Sequence, residues 1–108
     1  SFGEASDEIV GVSKPGKVKK IKLTTKSSAV TIKWSKADGV TGYQIYRLNT
    51  KTKKYEKIAT VKGEEKISYK NKKLKKGSTY SYKVRAYMTV EDTDYFGGYS
   101  AVAKIKVK

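Results

Sequence analysis

Residues 74–86 read Leu-Lys-Lys-Gly-Ser-Thr-Tyr-Ser-Tyr-Lys-Val-Arg-Ala, and they decide the fold. From Tyr80 onward, Tyr80, Tyr82, Val84 and Ala86 alternate with Ser81, Lys83 and Arg85. Successive side chains of a strand point to opposite faces, so this period of two describes a strand with one buried face. A helix would instead repeat its apolar positions three and four apart. Lys75-Lys76-Gly77 ahead of it reads as a turn, with Gly77 free to reverse the backbone.

The same period continues outward. Ile21 and Leu23 alternate with lysines, and Val30, Ile32 and Trp34 alternate with Thr31, Lys33 and Ser35. Tyr43 and Ile45 face away from Gln44 and Tyr46. Tyr55, Ile58 and Val61 fall off parity, which predicts a bulge. Ile67 and Tyr69 mark a short strand, and Ala101, Ala103, Ile105 and Val107 mark the last one, interleaved with Lys104, Lys106 and Lys108. Breakers separate these runs: Lys26-Ser27-Ser28, Asp38-Gly39 through Gly42, Asn49 to Lys54, Gly63, and Gly97-Gly98. Met88 to Gly98 reads as a long loop. Seven short strands at a spacing of roughly 8–12 residues predict an all-β, seven-stranded antiparallel sandwich.

Residues 1–13 contain Glu4, Asp7 and Glu8 and no Lys or Arg, whereas the rest of the chain is strongly basic. The expected organisation is an acidic tail or linker over 1–14 and one domain over 15–108. Ile9-Val10 is the place in that tail where an edge strand could form. Ser1 in place of an initiator Met reads as a mature product or a piece of a longer protein.

Composition removes several function classes. The 108 residues include no His and no Cys, which excludes a Ser-His-Asp triad, a Cys-His dyad, disulfides and His/Cys zinc sites within this chain. No run of about 18 apolar residues is present, so no membrane-spanning helix is expected. The net charge is +15, and of the 25 basic residues only Arg47 and Arg85 are Arg. Lysine is a hydrated point charge, whereas arginine is the fork that reads phosphates and bases in pairs of bonds. Attraction to polyanions is expected, and sequence-specific nucleic-acid recognition is not.

Trp34, Gly42-Tyr43-Gln44-Ile45-Tyr46-Arg47 and the stretch from Leu74 to Ala86 together resemble a fibronectin type III domain. That family carries a Trp in the second strand, Tyr-x-Ile/Val in the third, and Leu-x-Pro-Gly-x-x-Tyr leading into the sixth. The agreement covers residues 15 to 108. It departs at Lys76, where Pro is usual, and at Asn71, where Asp is common. The wording Gly-Tyr-x-Ile-Tyr-Arg and the Lys-rich, Arg-poor composition are most similar to such modules in secreted proteins of Gram-positive bacteria. The resemblance implies an immunoglobulin-like sandwich with Trp34, Tyr43, Leu74, Gly77 and Tyr80 in structural roles. Trp34 would face the opposite sheet, its indole N–H needing a partner. Tyr80 would be the tyrosine corner, its hydroxyl bonded to backbone just upstream. No cofactor, metal or catalytic residue is implied. The expected role is a spacer or interaction module of a larger secreted or cell-wall-associated protein, monomeric alone, with neighbouring domains as partners. The alternative is a binding module for anionic polymers or glycans, such as teichoic acid or acidic polysaccharide. An integrin-binding Arg-Gly-Asp is absent from residues 88–98.

Two features remain as candidate sites. Tyr46, Lys83, Arg85 and Tyr87 should share an outward sheet face, where tyrosines beside cations could stack on sugars or bases. The plainer and preferred reading is that cross-strand tyrosines and lysine stems merely cover the sheet. Glu91, Asp92 and Asp94 are a weak signal for calcium, which needs roughly six to eight oxygens at a fixed geometry, and a small sandwich without inserted loops has no cleft for a pair of catalytic carboxylates; the preferred reading is a solvated hairpin tip. The second feature is charge placement. In this topology Lys53, Lys54, Lys72, Lys73, Lys75 and Lys76 gather at one pole with Lys26, Lys51 and Lys70. Asp38, Glu64, Glu65, Glu91, Asp92 and Asp94 gather at the other, and Glu56 is expected away from both.

Overall fold

The computed structural model describes residues 14–108, so the expected acidic tail lies outside the described residues except for Lys14. β1 (Lys22–Lys26), β2 (Ala29–Lys33) and β5 (Ser68–Asn71) form one antiparallel sheet in the order β1-β2-β5. β3 (Gly42–Asn49), β4 (Lys54–Lys62), β6 (Thr79–Val90) and β7 (Thr93–Phe96) form the second, in the order β4-β3-β6-β7, with β8 (Ala103–Lys106) also paired to β6. The core lies between the sheets. Val30 and Ile32 from β2 meet Tyr43 and Ile45 from β3 and Tyr82, Val84 and Ala86 from β6, all fully buried.

The bulge falls opposite the Ile45–Tyr46 step. Ile45 pairs with Ala59 and Tyr46 with Lys57, leaving Ile58 as the extra residue. Ile58, Ala59 and Val61 all pack on the core, which is why strict alternation fails there.

The expected seven strands become eight. Residues 88–98 are not a loop: β6 runs on to Val90 and returns as β7 through Glu91-Asp92, with φ of 51° and 68°. Such two-residue turns usually announce themselves with Gly or Asn-Gly, and neither is present. Gly97 N–H donates to Ala86 O and Ser100 N–H to Val84 O, so the chain stays on β6 between β7 and β8. β7 and β8 are thus one interrupted strand. Gly97 is packed so tightly on the incoming chain that a Cβ there would lie 2.6 Å from both the Pro15 and the Gly16 carbonyl oxygens.

The turns sort into two ends. At one, Ser28 N–H donates to Lys108 O, Leu74 N–H to Ser28 O and Gly77 N–H to Val107 O. At the other, Gly39 N–H donates to Glu64 Oε1, Gly63 N–H to Thr41 O and Thr41 N–H to Tyr87 O. The molecule measures 55 × 29 × 23 Å.

Leu74 is buried beneath the β5–β6 connection, and Gly77 carries a φ of +83°. The Tyr80 hydroxyl accepts the Lys75 N–H at 3.0 Å, tying that connection to β6. Tyr80→Phe is therefore expected to cost about 1 kcal/mol, read as a lower urea midpoint with unchanged slope.

Candidate functional site

The outward face of the five-stranded sheet carries a cluster of polar and aromatic side chains. Gln44 and Tyr46 project from β3, and Lys83 and Arg85 from β6 beside them, paired in register as Gln44↔Arg85 and Tyr46↔Lys83. Arg85 Nε donates to Gln44 Oε1 at 2.9 Å and Nη2 to the Tyr46 hydroxyl at 2.9 Å. Its guanidinium lies 3.9 Å from the Phe96 ring centre and 5.0 Å from that of Tyr99. Lys83 Nζ sits between two rings, 3.9 Å from Tyr99 and 4.5 Å from Tyr55. Tyr46 and Tyr99 meet edge to face at 5.1 Å.

The structure brings Tyr46, Lys83 and Arg85 together and sets Tyr87 apart. Tyr87 shares the face but is only 7 % exposed, with its ring edge against Gly42. Tyr55, Phe96 and Tyr99 complete the cluster without having been singled out in the sequence. Phe96 and Tyr99 reach it only because residues 93–100 follow β6 instead of looping away. Both cations are already covered by aromatic faces, contacts worth about 0.5–2 kcal/mol each. The arrangement braces the sheet, and it contains no carboxylate to act as acid or base.

Asn71 is a polar anchor of the core. Its Oδ1 accepts from Arg47 Nη1 at 3.0 Å and from the Tyr82 hydroxyl at 2.7 Å. The carboxamide oxygen thus satisfies a guanidinium and a buried phenol together, in a place where Asp is common in the resemblance. Tyr43 has a similar role at the Gly39 end, accepting the Ala37 N–H at 2.8 Å and donating to Glu64 O at 2.7 Å.

Burial pushes the Tyr82 phenol up to about 12, with nearby Arg47 pulling it partly back. Burial also raises Tyr43, Tyr87 and Tyr99. A phenol raised in the folded state stays protonated there while the unfolded chain ionises near its ordinary value of 10. Its contribution to stability is complete below pH 10 and is lost as pH climbs from 10 toward 12. Urea midpoints are expected to fall steeply over that window, and Tyr82→Phe to flatten the fall.

The Ser28 end carries a cleft of about 530 Å³, lined by residues that include Arg47, Asn49, Thr50, Ser78 and Tyr80, with Lys51 its one lysine. Lys26, Lys70, Lys72, Lys73, Lys75 and Lys76 stand exposed on the neighbouring turns. Glu56, expected away from both ends, also lines this cleft and accepts from Asn49 Nδ2 at 3.2 Å. The Gly39 end is mixed in charge, not purely acidic: Lys36 Nζ lies 3.6 Å from Glu64 and 3.8 Å from Asp38. Glu91, Asp92 and Asp94 are exposed at the β6–β7 tip, where Asp94 Oδ1 accepts from the Thr89 hydroxyl at 2.6 Å. Among the described residues no three acidic side chains are grouped to hold a metal ion.

A family model described as the fibronectin type III domain matches residues 13–97. No curated protein matches the chain. Among solved structures, an Fn3-like protein from Clostridium thermocellum superposes with a TM-score of 0.67 at 20% identity, over 89% of this chain and 96% of that one. FN3tt gives 0.70 at 18% identity, over 89% and 97%. The sixth fibronectin type III domain of human fibronectin type III domain containing protein 3 gives 0.69 at 22%, over 90% and 89%. These likenesses concern the fold.

Proposed function

Since the chain belongs to the fibronectin type III family, we propose that it is a non-catalytic module that spaces neighbouring domains of a larger secreted or cell-wall-associated bacterial protein. The carrying observation is where the described chain comes in and goes out. Pro15 and Gly16 lie against Gly97 near the Gly39 end, while Lys108 is bonded to Ser28 at the opposite end of a 55 Å molecule. Segments attached at the two ends are held apart by the full length of the sandwich. The brace on the outer face supports the same reading, because Arg85 and Lys83 spend their interactions within the sheet. The bacterial surface setting rests on the Gly-Tyr-x-Ile-Tyr-Arg wording and the lysine-rich composition.

Two copies joined in tandem test this by small-angle scattering. The expected maximum dimension approaches twice the 55 Å of one copy. A compact, side-by-side pair would count against a spacer.

A further inference from the structure

A second groove, of about 340 Å³, crosses the outward face of the five-stranded sheet beside the Arg85 cluster, toward the Gly39 end. Lys57, Thr60 and Lys62 of β4 wall one side, and Thr89 with Asp94 of the β6–β7 hairpin wall the other. Gln44 lies between them, opposite Thr60 in register. The volume falls within the range of small-ligand sites, roughly 300–1,000 Å³. Gln44 is only 6 % exposed, and its Oε1 accepts from Arg85 Nε at 2.9 Å. A guanidinium can only donate, so the oxygen is the branch turned to Arg85 and Nε2 is the branch turned away from it. That nitrogen donates to no group among the described residues, yet it is not sealed, since the one sealed side-chain group without a partner among them is Trp34 Nε1. An amide more than nine-tenths buried therefore presents its two N–H groups to the groove with no protein acceptor. Buried polar groups are rarely left so, and because Arg85 already fixes the side chain, a ligand there pays little to order it.

The rest of the lining also has more donors than acceptors. Thr41 Oγ1 accepts the Thr89 N–H at 2.9 Å, which leaves the Thr41 hydroxyl hydrogen to give. The Thr60 hydroxyl is exposed beside Gln44, and Lys57 and Lys62 carry only donors. Against these stands Asp94, one oxygen of which already accepts from the Thr89 hydroxyl at 2.6 Å. A fitting ligand accepts more hydrogen bonds than it donates while still offering a hydrogen to Asp94. A sugar does this: each hydroxyl oxygen has two lone pairs for one hydrogen, and ring and bridging oxygens only accept. A peptide backbone carries donors and acceptors in equal number. An anionic chain in the groove would meet Asp94, with Glu91 and Asp92 exposed on the same hairpin, and like charges so juxtaposed are costly. Nucleobases need an open ring to stack on, and Tyr87, the one ring in the lining, is 7 % exposed. We propose that this groove binds a neutral oligosaccharide, with the Gln44 amide and the Thr41 and Thr60 hydroxyls donating to sugar oxygens and Asp94 accepting from a sugar hydroxyl. Such a site is independent of the spacing role, since it lies on the face of the sheet and not at either end.

Gln44 is the only glutamine, so its side-chain amide pair is a unique signal in proton–nitrogen spectra of the isotope-labelled full chain. The test titrates that chain with cellotetraose, maltotetraose, xylotetraose and N-acetylchitotetraose. At least one is expected to move the Gln44 pair together with the Thr60 backbone amide, with a Kd of about 1 mM or tighter. The affinity should not change with salt, because no counterions are released. Gln44→Glu keeps the acceptor for Arg85 and removes the free donor; followed at the Thr60 amide, it is expected to weaken binding about tenfold or more. Thr60→Val removes one exposed hydroxyl at nearly constant shape and should cost about threefold or more. Thr24→Val makes the same change on the exposed face of the other sheet and should leave binding unchanged. Thermal melts confirm folding, and Thr60→Val decides alone should Gln44→Glu not fold. The proposal is overturned by a Gln44 pair that none of the four sugars moves, or by equal effects of Thr60→Val and Thr24→Val. It is also overturned if tetra-alanine or a heparin oligosaccharide moves the Gln44 pair as strongly at the same concentration.

Discussion

Trp34→Ala is expected to lower the unfolding free energy by about 3–5 kcal/mol, as large aromatic truncations in cores do. Trp34 is 2 % exposed and packs on Tyr43 with ring centres 5.4 Å apart and planes tilted by 60°. Its backbone N–H donates to Ile67 O, holding the end of β2 against the chain leading into β5. Its indole Nε1 is buried with no acceptor among the described residues. The side chain therefore stabilises through area and contact, in spite of an unmet N–H. Trp34→Phe, which removes that N–H and keeps a ring, is expected to cost less than about 2 kcal/mol. Because Trp34 is the only Trp, urea unfolding is best followed by circular dichroism. A Trp34→Ala midpoint equal to wild type would remove Trp34 from the core.

Gly42→Ala should cost about 3 kcal/mol by a different mechanism, overpacking against atoms that cannot yield. Gly42 begins β3 and is flanked on both sides, paired with Lys62 of β4 and Tyr87 of β6. An added Cβ would collide with the Val61 carbonyl oxygen and approach Lys62 Cα and Tyr87 Cε1 to 3.0 Å. A ring can turn aside, but the β4 backbone is held by its own ladder. Relief requires β3 and β4 to separate where the Gly39 end is tied together. Glycine at such a point marks close approach of two backbones. Gly16→Ala is the control, since nothing lies within 4 Å of its added Cβ; it should stay within about 0.5 kcal/mol of wild type. Equal midpoints for the two variants would contradict the packing described at Gly42.

Much of the fold was legible because its signals are local. A period of two from Tyr80 to Ala86 identifies both the strand and its buried face, and the loss of parity around Ile58 locates the bulge. The absence of His and Cys removes whole classes of chemistry without any structure. The β6–β7 hairpin was not legible. Glu91-Asp92 adopts positive φ without the glycine that usually reports it, and extra cross-strand pairing makes the turn worthwhile.

The candidate site divides along the same line. Alternation alone places Tyr46, Lys83 and Arg85 on one outward face, because side-chain direction in a strand follows from chain position. What touches them is decided by register between strands distant in sequence. Tyr55 arrives from β4 beyond its bulge, and Phe96 and Tyr99 arrive from a strand that breaks and resumes. Asn71 becomes the shared acceptor of Arg47 and Tyr82 only when the two sheets close over it. Sequence by itself thus determined which sheet face most strand residues take and which chemistry is absent, but not that Tyr87 on the outward face would be covered. Tertiary structure alone decided which cations are sheathed by aromatic rings, because a bulge or a turn moves every later cross-strand contact while leaving the local pattern unchanged.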